Sequence, residues 1–307
     1  MELRHLHHLV LLADELSFTR AADRANLSQT AFSRSIQVLE RDLNVRLFDR
    51  KTRSVALTAV GAQLVSRART LAHDVEIFSQ EASYLANGQG GRMAMGASLL
   101  ASDVFLRARV PAWATVFPGT QITVKVGQWR TLKSLLEHGE IEFFIGYPGD
   151  IDLDPEFVVH TLDSQATSVF CRADHPLLAN SGGKRTIRTR QLLAFPWASV
   201  ASMDHSDTRR LASHFQLDSE SELPWSLLCD HLDVLRDATL LGDSLLFSWR
   251  SWVQPYLERG EMVDLADYLS ERIPDNPLSC AVVHPRGRSL SPMADRVIAM
   301  LTTFHAR

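Results

Sequence analysis

Cysteine is scarce in this chain. Three residues, Cys171, Cys229 and Cys280, are odd in number and far apart, which argues against a disulfide framework or a zinc ribbon and marks them as small core residues. Long apolar runs are missing too. No stretch approaches the roughly eighteen apolar residues of a membrane span, and the start MELRHLHH is no secretory signal, so the expected compartment is the cytoplasm, with no membrane partner. The sequence marks of enzymes are also absent: no G-x-S-x-G elbow, no G-x-G-x-x-G after a strand, no phosphate-binding Walker loop, no H-E-x-x-H. Asp204-His205-Ser206-Asp207 contains the residue types of a catalytic triad, but immediate neighbours in sequence rarely form one. No catalytic residue, metal or cofactor is expected. His5, His7 and His8 lack a cysteine or acid to complete a ligand set and read as a solvated helix face.

Net positive charge is lacking as well: the chain carries −4 overall. Divided, however, residues 1–60 hold nine Lys/Arg against seven Asp/Glu, and the remainder 23 against 29. Cationic residues available to neutralise phosphates are therefore concentrated at the start, with Arg50, Lys51 and Arg53 clustered. The remaining composition, 45% hydrophobic and 22% charged over 307 residues, is that of a globular chain long enough for about two domains.

The stretch Ser17–Arg53 organises the reading. Ser17 caps a short helix carrying Phe18, Ala21, Ala22 and Ala25; Asn26-Leu27 breaks it, and Ser28 caps the next. In that second helix Phe32, Ile36, Leu39 and Leu43 recur at helical spacing and form a buried face. The opposite face presents Gln29, Thr30, Ser33, Arg34, Gln37 and Arg41, amide, hydroxyl and guanidinium groups suited to base edges and phosphates in a major groove. Asn44 ends the helix, and Val45–Phe48 and Val55–Leu57 read as two short strands of a basic hairpin. The whole is a winged helix-turn-helix, preceded by a helix over Leu3–Leu16 whose Leu6, Leu9, Val10, Ala13 and Leu16 face the core.

Beyond Thr58, Leu64, Ala68, Leu71, Val75, Phe78, Ala82 and Leu85 follow at spacings of four and three in strict alternation. Such a two-position seam over three heptads belongs to a coiled coil, on a helix about 43 Å long, and calls for a partner. Asn87–Gly91 ends it as a joint. Strands and helices then alternate, which predicts two lobes built on parallel sheets with helices on both faces. The first lobe covers about 91–161 plus 268–307, with a Pro118-Gly119 turn; the second covers about 162–267 and opens on a strand at Phe157–Leu162. Ligands in such sheets bind beyond the carboxyl ends of the strands, which selects Ser98, Leu99, Ser102, Gln128, Trp129, Gly146 and Tyr147 from one lobe. Ala201, Ser202, Asp230, Phe247 and Ser248 face them from the other. Trp129, Tyr147 and Trp249 hint at a planar ligand anchored by Arg130 or Arg250; equally, these aromatics are ordinary lobe core.

Ser28-Gln29-x-Ala31-x-Ser33-Arg34, then Leu39-Glu40, Val45-Arg46-Leu47-Phe48-Asp49-Arg50 and Leu57-Thr58-x-x-Gly61 resemble the signature of LysR-type transcriptional regulators. Thr30 departs from it, standing where many members carry proline, and Ser248 lies near another position often held by proline. The resemblance implies a DNA-binding domain over 1–57, a linker helix over 58–88 that forms the dimer, and a periplasmic-binding-protein-like effector domain over 89–307. Its implied partners are double-stranded operator DNA, a second copy of the chain (often four copies), a small-molecule co-inducer, and RNA polymerase. Two alternatives are a thiol-redox-sensing member of the same family and a nucleoid-type structural DNA binder, the latter leaving the last two-thirds of the chain without a role.

Overall fold

The computed structural model describes residues 2–51, 54–87, 91–117, 119–149, 154–179, 186–201, 205–270 and 278–303. It opens with α1 (Leu3–Glu15), α2 (Phe18–Arg24) and α3 (Gln29–Leu43), followed by the antiparallel hairpin of β1 (Phe48–Lys51) and β2 (Ser54–Leu57) and the long α4 (Ala59–Asn87). Ser17 Oγ accepts the Arg20 N–H and Ser28 Oγ accepts the Ala31 N–H at 3.2 Å; both hydroxyls satisfy amides that lack an intrahelical partner. Asn44 takes φ 53° at the end of α3, the left-handed geometry asparagine tolerates. Phe32, Ile36 and Leu39 are buried with Leu9, Leu12, Leu47 and Phe48 in one apolar cluster.

Two expectations for this head need correction. Leu43 and Leu16 lie at helix ends and are exposed, not buried. His5 and His8 are buried and only His7 is exposed. Burial is tolerated because their ring nitrogens are paired: His5 Nδ1 accepts the Glu2 N–H at 3.2 Å, and His8 Nδ1 shares a 2.7 Å hydrogen bond with Ser35 Oγ.

After α4 come β3 (Gly91–Ala97), α5 (Leu99–Ala101), a π-helical turn over Ser102–Leu106, α6 (Arg109–Val116), β4 (Thr120–Val126), α7 (Trp129–Glu137), β5 (Phe143–Gly146) and β6 (Phe157–Gln165). The next group is β7 (Thr167–Arg172), α8 (Pro176–Ala179), β8 (Trp197–Ser199), α9 (His205–His214), β9 (Trp225–Leu228), α10 (Leu232–Leu240), β10 (Leu245–Trp249), α11 (Arg250–Glu258) and β11 (Met262–Asp264), before β12 (Leu278–Pro285) and α12 (Pro292–Thr303). One sheet has the order β4-β3-β5-β12-β6 and the other β11-β7-β10-β8-β9. The helix-linked strands pair in parallel: β3 with β4 and β5, and β8 with β9 and β10.

The sheets are mixed, however, and not purely parallel. β12 runs antiparallel to both β5 and β6, and β7 runs antiparallel to β10 and β11. The reason is the route of the chain. β6 leaves the first sheet and β12 re-enters it, so the two lie side by side in opposite directions without a crossover helix between them. For the same reason Phe157–Leu162 does not open the second unit: the strand stays in the first sheet to Gln165, paired along its length with β12. The expected Pro118-Gly119 turn falls partly outside the described residues. β9 and α9 carry little local signal; α9 buries only Leu211 and Ala212 among its described side chains, too little apolar periodicity to announce a helix.

The two sheets share core. Met95 and Phe143 of the first and Phe170 and Leu246 of the second belong to one apolar cluster, joined by Phe105, Leu106, Trp249, Trp252 and Val253. α11 touches the π-helical turn directly, so the lobes meet through side chains as well as through the two crossing strands.

Candidate nucleic-acid interface and interlobe cleft

On α3 the apolar back and polar front separate as the spacing predicts. Gln29, Thr30, Arg34, Gln37 and Arg41 are exposed and Ser33 is half-buried, while Phe32, Ile36 and Leu39 are fully buried behind them. β1 and β2 place Arg50 and Lys51 in the hairpin, Arg50 opposite Val55 and Lys51 opposite Ser54; Arg53 lies outside the described residues. The helix and hairpin meet at one junction. Glu40 Oε1 accepts the Leu47 and Phe48 N–H groups at 2.9 and 3.2 Å. Thr58 Oγ1 donates to the Arg46 carbonyl at 2.8 Å and accepts the Gly61 N–H at 2.9 Å, while the Thr58 N–H donates to the Leu47 carbonyl at 3.0 Å. A Cβ on Gly61 would stand 2.1 Å from the Leu47 carbonyl oxygen, so only glycine admits this approach of α4. Because Leu47 and Phe48 are buried, leaving either amide unpaired costs on the order of 1–3 kcal/mol.

Along α4 the heptad seam divides. Leu64 and Ala68 pack into the core of the chain's own head, because the first turns of α4 lie against α1, and Arg69 forms an ion pair with Asp14 there. Leu71, Val75, Phe78 and Ala82 are exposed, with Phe78 at 70%, whereas Ile77 is buried. The helix therefore has one side covered by its own chain and one apolar side open. The Leu85 side chain lies outside the described set.

The residues expected in the cleft are brought together in part. The Ser98 N–H donates to the Ile145 carbonyl at 2.8 Å, and a Cβ on Gly146 would lie 2.9 Å from the Ser98 Oγ; Ser98 and Gly146 thus sit against each other at the ends of adjacent strands. Leu99 and Ser102 are half-buried, and Ser102 Oγ donates to the Leu99 carbonyl at 2.7 Å. Tyr147 is half-buried; Gln128, Ala201 and Asp230 are exposed; Ser202 is outside the described residues. Phe247 points into the core of the second lobe. On the neighbouring position Ser248 is buried, and its hydroxyl has no hydrogen-bond partner among the described residues.

Of the three aromatics expected to meet a planar ligand, Trp129 and Tyr147 are half-buried and Trp249 is buried. Trp129 packs on the apolar cluster of Leu132, Phe144 and Phe157, with Gly149 against its indole and the Arg130 guanidinium 4.5 Å from its ring centroid. Trp249 is buried in the shared core. Arg250 forms an ion pair with the buried Asp264, which also accepts from Ser168 Oγ. The Arg250 side chain remains 47% exposed beside this pair.

Sequence reasoning missed the polar set at the crossing. Ser251 Oγ donates to Gln165 Oε1 at 2.6 Å, and the Arg250 N–H donates to the Ala166 carbonyl at 2.8 Å, tying α11 to the strand that leaves the first lobe. Ser168 stands opposite Ser248 in the β7–β10 ladder. No local signal marks such a set, since its members are about 80 to 100 residues apart and meet only by sheet pairing. A surface depression of about 560 Å³ lies elsewhere, beside α9, lined by Arg209, Ser213, Gln216 and Glu220 among others; none of the cleft residues lines it. Cys171 and Cys280 are buried, and burial pushes both thiols up to about 12, which suppresses the reactive thiolate; Cys229 is half-buried. No His, Cys, Asp or Glu group that could hold a metal occurs among the described residues, and no described helix is long and apolar enough to cross a membrane.

A winged helix-turn-helix head, a long helix with an open apolar seam and a domain of two mixed sheets define a DNA-binding regulator with an appended sensor-type domain. Residues 3–62 match the bacterial regulatory helix-turn-helix protein, lysR family, and residues 86–306 match the LysR substrate binding domain. The chain belongs to the LysR family of DNA-binding transcriptional regulators. It is 29% identical over 306 residues to the SDS degradation transcriptional activation protein of a Pseudomonas species, covering 100% of this chain and 97% of that one. Solved structures share the fold, among them the following two. ArgP from Mycobacterium tuberculosis superposes with a TM-score of 0.69 at 14% identity, covering 98% of this chain and 96% of that one. Full-length OxyR from Pseudomonas aeruginosa gives 0.64 at 21%, covering 100% and 96%.

Proposed function

We propose that this regulator binds an operator as a homo-oligomer, inserting one α3 into the major groove of each half-site, and answers to a small molecule held between its lobes. The observation that carries the reading is the face of α3: Gln29, Thr30, Arg34 and Gln37 stand exposed over a fully buried Phe32, Ile36 and Leu39. Gln29, Thr30 and Ser33 read bases; Arg34 and the hairpin residues Arg50, Lys51 and Arg53 hold flanking phosphates. Two copies join through Leu71, Val75, Phe78 and Ala82, and the division into 1–57, 58–88 and 89–307 follows from these roles. The co-inducer contacts Ser98, Ser102 and Gly146 on one side and Ser248 on the other, and shifts the lobes only by binding one arrangement more tightly than the other. Such a protein works in the cytoplasm, beside RNA polymerase, with no catalytic role.

Gln29→Ala tests the central assignment. Affinity for an operator selected from random duplex DNA should fall by about 1–3 kcal/mol per half-site, with preference relaxed at one position in each. Arg34→Ala should instead weaken all sequences alike and reduce the salt slope by about one for each phosphate it no longer neutralises. An Arg34→Ala protein with altered base preference and an unchanged salt slope would reverse the two roles.

A further inference from the structure

The junction of α3, the hairpin and α4 does more than stabilise the head. Glu40 belongs to the last turn of α3, and one of its carboxylate oxygens holds the two amides that start the hairpin. Thr58, immediately before α4, grips the same short segment from the other side: its hydroxyl donates to the Arg46 carbonyl and accepts the Gly61 N–H. Segment 46–48 is therefore clamped between the reading helix and the helix that carries the apolar seam. The shared apolar core and the Arg69–Asp14 ion pair hold α4 against α1, and these directional bonds add the direct link between α3 and α4 that packing alone, which permits small rotations, does not supply.

We infer that Glu40 is a positioning residue for half-site spacing: through Leu47, Phe48 and Thr58 it sets the angle of the reading helix to the linker helix, and hence the separation of the two reading helices in a dimer. This rests on the proposed joining of two copies through α4. The geometry gives the size of the effect. From Glu40 to Gln29 is about 17 Å along the helix at 1.5 Å per residue, so about 10° of slack at the junction moves the reading residues by about 3 Å. That is close to the 3.4 Å step between base pairs along one strand. A rigid junction reads spacing to the base pair; a loosened one tolerates a neighbouring spacing. Base preference within a half-site, set by the α3 side chains, does not depend on it.

The test uses the full-length protein. Selection from random duplex DNA defines the operator, and affinity is then measured on the same operator with the spacer between half-sites changed by one and two base pairs. The unmodified protein should lose more than tenfold in affinity on the altered spacers. Glu40→Ala should lose less than threefold across the series, with unchanged base preference in each half-site and unchanged mass by sedimentation. Glu40→Gln, whose amide oxygen can accept both N–H groups, should restore the discrimination. Thr58→Val, which keeps the shape and removes the hydroxyl, should behave as Glu40→Ala does, and it carries the test if Glu40→Ala fails to fold. The proposal is overturned if either loosened variant keeps the full spacing discrimination, if base preference within the half-site changes instead, or if Glu40→Gln does not rescue. A selected site with a single half-site and no spacing preference in the unmodified protein would refute the two-headed reading itself, a different failure from the first three.

Discussion

Replacing Leu71 and Phe78 together with glutamate tests the seam on α4 most directly. Leu71 is 49% exposed, Val75 38% and Phe78 70%, so the three leave about one and a half side chains' worth of apolar surface in water on each helix. At about 1.5–3 kcal/mol per fully buried side chain, pairing two such helices recovers roughly 5–9 kcal/mol before the cost of association. The double substitution removes most of that surface and places four carboxylates, two from each copy, in the seam, where unpaired charge is strongly disfavoured. The dimer should weaken by at least about 4 kcal/mol, or about a thousandfold in its dissociation constant. Because both positions are exposed in the single chain, helix content and the melting of the monomer should change little. Sedimentation velocity at micromolar concentration should show a monomer, with operator affinity falling because two heads no longer bind as one unit. A variant that sediments with the unmodified mass would refute the assignment of this face.

Three further outcomes are expected. Gly61→Ala should destabilise the head by about 3 kcal/mol or more, since the new Cβ meets the backbone oxygen of Leu47 at 2.1 Å; a thermal melt matching the parent would contradict that approach. Burial first, and then His7, His5 and Arg4, push His8 below its ordinary value, so the unfolded chain binds its proton more readily than the folded one. Its contribution is therefore intact above the unfolded value of about 6.5 and lost as pH falls through that value towards the folded one. His8→Gln should flatten the stability–pH profile at and just below about pH 6.5, whereas an identical profile would show that His8 does not contribute there. Ser98→Trp should abolish the transcriptional response while leaving operator binding and sedimentation near normal; a full response would remove the cleft from the sensing role.

Much of the molecule was written locally. The caps at Ser17 and Ser28, the turn at Asn44 and the spacing of Phe32, Ile36 and Leu39 are short-range signals, because a helix brings together residues three and four apart whatever else the chain does. The same holds for the seam on α4 and for the polar face of α3, whose exposure is the converse of the burial behind it. Tertiary structure decided what depends on distant partners. Ala68 fits the heptad as well as Leu71 does, yet α1 covers one and leaves the other open. β12 pairs antiparallel with β6 because the chain returns from the second lobe beside the strand by which it left, a fact of route that no window of residues contains. Trp129 and Arg250 meet partners that no local pattern names, one Gly149 and the cluster around Leu132, the other Asp264. Glu40 fell off the apolar stripe and off the reading face alike, and its use emerged only when the hairpin folded back to place the Leu47 and Phe48 amides on its carboxylate. Hydrogen bonds between segments are formed by geometry that the fold supplies, whereas periodicity is carried by the chain itself.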